Sequence, residues 1–187
     1  MLEKHSGWAV WLTGLPGSGK SVISRALLKR IRKFGEDAEI VSIDALRRIA
    51  TPNPRYTEEE RWIVYGALVY ASTLLVRNGV NVIIDATGNR RAFRDKARRE
   101  IPRFVEVYVR CPLEVCIYRE KSRGKETFLA PKGIYDKAAR GESATVPGIG
   151  VPYEEPLSPE VIVDSDKLTP EECADKVIEE LKRLRYL

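Results

Sequence analysis

Gly14-Leu15-Pro16-Gly17-Ser18-Gly19-Lys20-Ser21 fits the pattern G-x-x-x-x-G-K-[ST] at every fixed position. Residues of these types at this spacing hold the phosphates of a nucleoside triphosphate. The glycines let consecutive backbone N–H groups curl around phosphate oxygens, and the N-terminus of a following helix adds partial positive charge. Lys20 then reaches the β- and γ-phosphates, and the Ser21 hydroxyl ligates Mg²⁺. A glycine-rich turn with a chance lysine is the competing explanation. The flanks argue against it: Trp8–Leu12 reads as a buried strand, and Val22, Ile23, Ala26, Leu27, Leu28 and Ile31 recur at helical spacing. Gly14 to Ser21 are the expected nucleotide-binding residues.

Phosphoryl transfer also needs a carboxylate that orients the metal or accepts the proton of the attacking hydroxyl. Asp44 and Asp85 each follow an apolar segment, Ala38–Ile43 and Val80–Ile84, at the strand end where such sheets place their chemistry. Asp44 could instead cap a helix beginning at Ala45, and Asp85, followed by Ala86-Thr87-Gly88-Asn89, could be a turn residue. His5 is the only histidine, so a general base has to be a carboxylate. Cys111, Cys116 and Cys173 lack metal-ligand spacing and read as reduced, partly buried thiols.

The elements that position these groups are legible in outline. The first helix is followed by a strand over 38–43, and the prolines of Thr51-Pro52-Asn53-Pro54 break the chain. Thr57-Glu58-Glu59-Glu60 predicts a capping box opening a helix to Arg77, with Gly79 beyond its end. A third strand ends at Asp85, a helix covers 91–100, a fourth strand 104–109, and a short helix 113–119. Residues 120–150, rich in Gly, Lys, Arg and Pro, predict a lid, with Arg119, Lys132 and Lys137 as candidate phosphate-neutralising cations. Val161–Val163 is a last strand, and Thr169-Pro170-Glu171-Glu172 starts a final helix. Strands alternating with helices predict a three-layer α/β/α sandwich of the P-loop NTPase type, with a five-stranded parallel sheet and 1–187 as one kinase domain.

Composition is consistent with that. The chain has 187 residues, 43% hydrophobic and 32% charged, enough for one α/β domain. No apolar run approaches the about 20 residues of a membrane span, and the start carries no leader pattern, so a cytoplasmic location with no membrane partner is expected. The net charge is +5, with a basic cluster at Arg90, Arg91, Arg94, Lys96, Arg98 and Arg99. Only Phe93 interleaves it, which favours a solvated helix face or small anions over nucleic acid.

Longer segments resemble the adenylylsulfate kinases over nearly the whole chain. Trp11-Leu12-Thr13-Gly14-Leu15 matches W-L-T-G-L, and Pro112-Leu113-Glu114-Val115-Cys116 matches P-L-E-V-C. Lys132-Gly133-Ile134-Tyr135-Asp136-Lys137-Ala138 resembles K-G-L-Y-x-K-A, and Gly148-Ile149 with Pro152-Tyr153-Glu154 resembles G-I-D-x-P-Y-E. The resemblance implies transfer of a phosphoryl group from ATP, with Mg²⁺, to the 3′-hydroxyl of adenylyl sulfate, a step of sulfate assimilation, in a possible homodimer. It places Asp44 and Arg47 near the reacting hydroxyl; together with the phosphate-loop and strand-end readings, Ser21 and Asp44 are the expected metal ligands and Lys20, Asp44 and Asp85 the expected catalytic set. Tyr56 would stack on the substrate adenine, Arg61 and Lys132 would hold its anionic groups, and Arg119 would lie near the ATP base. The acceptor side departs from the family pattern. Ser42, Ala45 and Val64 stand where the pattern has an acid, an asparagine and an asparagine in turn. Asp85–Arg91 replaces its S-P-Y-R, Val146 a lid phenylalanine, and Glu120–Leu129 looks inserted. A kinase of another hydroxyl acceptor (nucleoside, polynucleotide end or small metabolite) and a nucleotide-dependent switch without phosphotransfer therefore stay open.

Overall fold

Strand side chains alternate between two faces, so a strand covered on both sides must be apolar at every position. β1 (Ala9–Thr13) is buried throughout, and it lies at the centre of the sheet. In the computed structural model, residues 6–122 and 133–187 are described. The strands are β1, β2 (Glu39–Ser42), β3 (Val82–Asp85), β4 (Phe104–Arg110) and β5 (Val161–Asp164). They form a parallel sheet in the order β2-β3-β1-β4-β5. The helices are α1 (Lys20–Arg32), α2 (Ile43–Ala50), α3 (Glu58–Arg77), α4 (Arg91–Glu100), α5 (Leu113–Ser122), α6 (Ile134–Ala139) and α7 (Pro170–Arg183).

The alternation along β1 divides the core. Val10 and Leu12 pack with Ile23, Leu27 and Ile31 of α1 and with Cys173, Val177 and Leu181 of α7. Ala9 and Trp11 pack on the other side with Val64, Tyr65 and Leu68 of α3 and with Phe93 and Ala97 of α4. This is the expected three-layer sandwich. A smaller cluster of Cys111, Cys116, Tyr135 and Val146 joins the start of α5 to α6 and the segment that follows it.

The capping box expected at α3 forms only in part, and the alternative of Asp44 as a helix cap does not hold. Thr57 does cap α3, its hydroxyl accepting from the Glu60 N–H at 3.2 Å. The Glu60 carboxylate, however, does not return to Thr57: it accepts from the N–H groups of Arg55 and Tyr56 at 2.6 and 3.2 Å and pairs with Arg47. The reciprocal box forms at α7 instead, between Thr169 and Glu172. Asp44 is not a cap either, because α2 begins at Ile43 and Ser42 caps it, accepting from the Ala45 N–H. The three cysteines are fully rather than partly buried, and burial pushes the thiols of Cys116 and Cys173 up to about 12 and about 11.

Candidate active site

The phosphate loop joins β1 to α1, and its shape follows from close packing. Gly17 has φ +81°, and a Cβ there would lie 2.4 Å from the Cys116 carbonyl oxygen, so only glycine fits against α5. α1 then starts at Lys20, aiming its N-terminal N–H groups into the loop. The Lys20 ammonium is buried and donates to the carbonyl oxygens of Gly14 at 3.0 Å and Leu15 at 2.8 Å. On the far side Ser165, at the end of β5, donates to the Ser18 carbonyl at 2.7 Å. Arg119 donates to the Ser165 hydroxyl at 3.2 Å and carbonyl at 2.7 Å, which ties the cation of α5 to the loop.

A cavity of about 460 Å³ opens from this loop across the C-terminal ends of β3 and β2. Pro16, Gly17, Gly19, Lys20, Ser21 and Arg119 line it, as do Asp44, Arg47, Tyr56, Arg61 and Asp85. Gly14, Leu15 and Ser18 shape the loop but do not line that cavity; Leu15 lines a second hollow beyond β4. Lys132 lies outside the described residues.

Asp85 reaches the site through sheet register. It stands beside Leu12 of β1 and Ser42 of β2, so its carboxylate emerges next to the first turn of α1. The Ser21 hydroxyl donates to it, and Lys20 and Arg25 add positive charge nearby; burial outweighs all three and pushes its pKa above the ordinary carboxylate value. A carboxylate held beside a hydroxyl at the loop is a hard-oxygen pair of the kind that suits Mg²⁺. Among the described residues no group of three His, Cys, Asp or Glu could hold a metal by itself.

The opposite wall is built from α2, α3 and the segment 143–147. Arg47 is buried, pairs with Glu60 and lies over the Tyr56 ring at 4.8 Å. Burial works against the Glu60 charge, yet the Arg55 N–H and Arg47 hold its carboxyl below the usual value. Tyr56 has φ +55°, which turns its ring into the cavity wall, and burial raises its hydroxyl pKa. Arg61 donates to the carbonyls of Tyr56 at 3.2 Å and Thr145 at 2.5 Å and to Asn89 Oδ1 at 3.2 Å. One guanidinium thus joins α3, the loop after β3 and the segment around Thr145, and burial lowers its pKa.

Several structural contributors escaped the sequence reading. Tyr65 stacks on Phe93 with centroids 4.2 Å apart and accepts from the Gly88 N–H at 2.9 Å. The Thr13 hydroxyl donates to the Thr87 carbonyl at 2.6 Å and meets Tyr153 Oη at 2.9 Å. The basic cluster is largely consumed inside the protein: Arg90 pairs with Glu58, Arg91 with Glu154, Lys96 with Glu100, and Arg98 with Glu160 and Glu106. Arg94 is buried against Glu106 at 2.6 Å. Within Arg91–Glu100 the acids are only Asp95 and Glu100, and the ion-pair partners of the cluster lie up to 63 positions away.

The geometry has counterparts. The family profile described as adenylylsulphate kinase matches residues 6–164. A Pyrococcus abyssi protein named "Probable adenylyl-sulfate kinase" is 41% identical over 181 residues, covering 97% of this chain and 98% of its own. The adenylyl-sulfate kinase of Rippkaea orientalis is 38% identical over 184 residues, covering 98% and 96%. The Mycobacterium tuberculosis APS kinase, solved in complex with AMPPNP and APS, superposes with a TM-score of 0.83 at 29% identity, covering 95% of this chain and 98% of its own. A profile match across most of the chain, joined by relatives aligned nearly end to end, shows that the chain belongs to the adenylylsulphate kinase family.

Proposed function

We propose that this protein transfers the γ-phosphoryl group of ATP to the 3′-hydroxyl of adenylyl sulfate, giving 3′-phosphoadenylyl sulfate, with residues 1–187 acting as one kinase domain in the cytoplasm. The observation that carries the reading is the shared cavity: the phosphate loop forms one wall, and Asp44, Arg47, Tyr56 and Arg61 form the other. Donor and acceptor groups from distant parts of the chain meet across one space. Nucleic acid is not the expected acceptor, because the basic residues of α4 are engaged in ion pairs.

Catalysis of this kind is positioning and charge neutralisation. Lys20 exchanges its carbonyl partners Gly14 and Leu15 for β- and γ-phosphate oxygens, which offer a full negative charge in place of a dipole. Ser21 and Asp85 supply the protein oxygens for Mg²⁺, and Asp44 orients the acceptor hydroxyl and takes its proton. Held by these two oxygens, Mg²⁺ would supply charge neutralisation for the phosphoryl group in transfer. Tyr56 supplies a flat face for the substrate adenine, and Arg47 and Arg61 hold its phosphate and sulfate. Arg119, beside Gly19 and Ser165, is assigned to the nucleoside end of ATP, and Lys132 to the lid side of the substrate.

The test is direct product identification. With ATP, Mg²⁺ and adenylyl sulfate the protein forms 3′-phosphoadenylyl sulfate, and Lys20→Ala loses turnover by about 10³-fold or more. Phosphorylation of a nucleoside or sugar alcohol in preference to adenylyl sulfate would overturn the acceptor, and normal turnover by Lys20→Ala would overturn the mechanism.

A further inference from the structure

Asn89, in the loop after β3, is 3% exposed, and a buried amide has to satisfy both its ends. Its Oδ1 accepts from Arg61 Nη1 at 3.2 Å, and its Nδ2 donates to the Pro152 carbonyl at 3.3 Å. A donor on one side and an acceptor on the other fix which way round the amide lies. The main chain is held as well, the Asn89 carbonyl accepting from the Glu154 N–H at 2.7 Å. Glu154 is fastened in turn to α4: its carbonyl accepts from Arg94 at 2.7 Å and its carboxylate from the Arg91 N–H at 2.8 Å. Asn89 therefore stands on a firm base and presents one oxygen to Arg61.

The partners of Arg61 share a property. A guanidinium carries five N–H donors. In Arg61, Nε donates to the Tyr56 carbonyl, one Nη to Asn89 and the other to the Thr145 carbonyl, which leaves one N–H on each Nη for an anion. All three acceptors are neutral. Arg47, on the same wall of the cavity, is instead paired with Glu60. The Glu60 charge is felt at Arg61, but that carboxylate is already engaged by Arg47 and by the Arg55 and Tyr56 N–H groups. Neutral oxygens fix the plane of a guanidinium and leave its charge for an incoming oxyanion. A carboxylate in their place would form the stronger, charge-assisted bond and compete with that oxyanion. Two of the three acceptors are main-chain carbonyls that any residue would supply; only Asn89 contributes a side chain.

We propose that Asn89 is a positioning residue of the acceptor site, its amide oxygen aiming the Arg61 guanidinium at an oxyanion of the substrate without neutralising it. Asn89 does not line the cavity, so it acts through Arg61. This role rests on the acceptor proposed above, adenylyl sulfate, and adds to it the group that orients the cation gripping it.

Initial rates of the full chain, with ATP and adenylyl sulfate varied in turn, test this for Asn89→Leu, Asn89→Asp and Arg61→Ala, and for each Asn89 change combined with Arg61→Ala. Asn89→Leu removes the aiming oxygen and raises KM for adenylyl sulfate about 10-fold, with KM for ATP changed less than about threefold. Asn89→Asp keeps an oxygen in place but adds a charge, and raises the same KM about 30-fold or more. In the Arg61→Ala background either change alters KM by less than about twofold, because the group through which Asn89 acts is gone. A merely structural role of Asn89 would persist without Arg61, so additive effects overturn the proposal, as does a wild-type KM in either single variant. Should Asn89→Leu fail to fold, Asn89→Asp, isosteric with the native side chain, decides the case. Wild-type protein that does not turn over adenylyl sulfate overturns both this role and the acceptor it rests on; wild-type turnover with additive effects overturns the role of Asn89 alone.

Discussion

Replacing Arg94 by Met removes the cation that fastens the loop after β3 to the body of the protein. Its Nε donates to Glu106 Oε1 at 2.6 Å, one Nη to the Gly88 carbonyl, and the other to the Glu154 carbonyl at 2.7 Å. Arg94 is 1% exposed and Glu106 5%, so neither charge is screened by solvent. Breaking a buried pair from one side costs about 3–5 kcal/mol, because the remaining charge is stranded. The carbonyls of Gly88 and Glu154 each lose a donor, about 1 kcal/mol apiece. Arg98 already reaches Glu106 Oε2 at 3.3 Å and offsets part of this, leaving a net loss of about 4 kcal/mol. At about 2–4 °C per kcal/mol for a domain of this size, Tm falls by about 8–16 °C. Urea unfolding followed by far-UV circular dichroism measures the loss directly. The companion variants are Glu106→Leu, which strands Arg94, and Arg94→Met/Glu106→Leu, which strands neither. The double variant is expected to be less destabilised than the sum of the singles by about 2 kcal/mol. A loss below about 1 kcal/mol for Arg94→Met, or additivity in the cycle, refutes the assignment of this pair as the fastening.

Asp85→Asn is expected to lower kcat by about 10²–10³-fold while raising Tm at pH 7. Burial holds the native Asp85 pKa above its ordinary 3.8, so the stability gained from its protonated form is complete below that value and is lost as pH rises through the raised one. The Tm advantage of the variant therefore shrinks on acidification, and an advantage that grows towards low pH would contradict the sign. Arg61→Ala is expected to raise KM for adenylyl sulfate by about 10–100-fold with KM for ATP changed less than about threefold; initial rates with each substrate varied in turn check this. Gly17→Ala forces a methyl to within 2.4 Å of the Cys116 carbonyl at φ +81°, so nucleotide affinity, measured calorimetrically, falls about tenfold or more.

Much of the scaffold was readable residue by residue. The helix over Arg91–Glu100 has the expected bounds and β3 ends at Asp85 as expected, though it begins at Val82 rather than Val80, because capping and apolar runs are local signals. The misreadings occurred where a side chain had a distant alternative. Glu60 was expected to close a capping box, but Arg47 and the Arg55 and Tyr56 N–H groups lie within its reach. Arg94 resembled a surface cation until Glu106 and Glu154 came beside it. Tyr65 had no polar signature at all, since its role is to present a hydroxyl to Gly88 from inside an aromatic stack.

The stretch Gly14–Ser21 identifies a nucleotide-binding loop by itself, because that chemistry is made by contiguous backbone whose shape the glycines and the following helix dictate. The two carboxylates could be named from the sequence, which set Asp44 with Ser21, whereas the Ser21 hydroxyl donates to Asp85. That is decided by the order β2-β3-β1 and a register that sets Asp85 beside both Leu12 and Ser42. The same holds for Arg61, whose partners Asn89 and Thr145 lie 28 and 84 residues away. Short-range sterics write the loop into eight residues; the other half of the site exists only where parallel pairing and helix packing bring separate segments to one edge of the sheet.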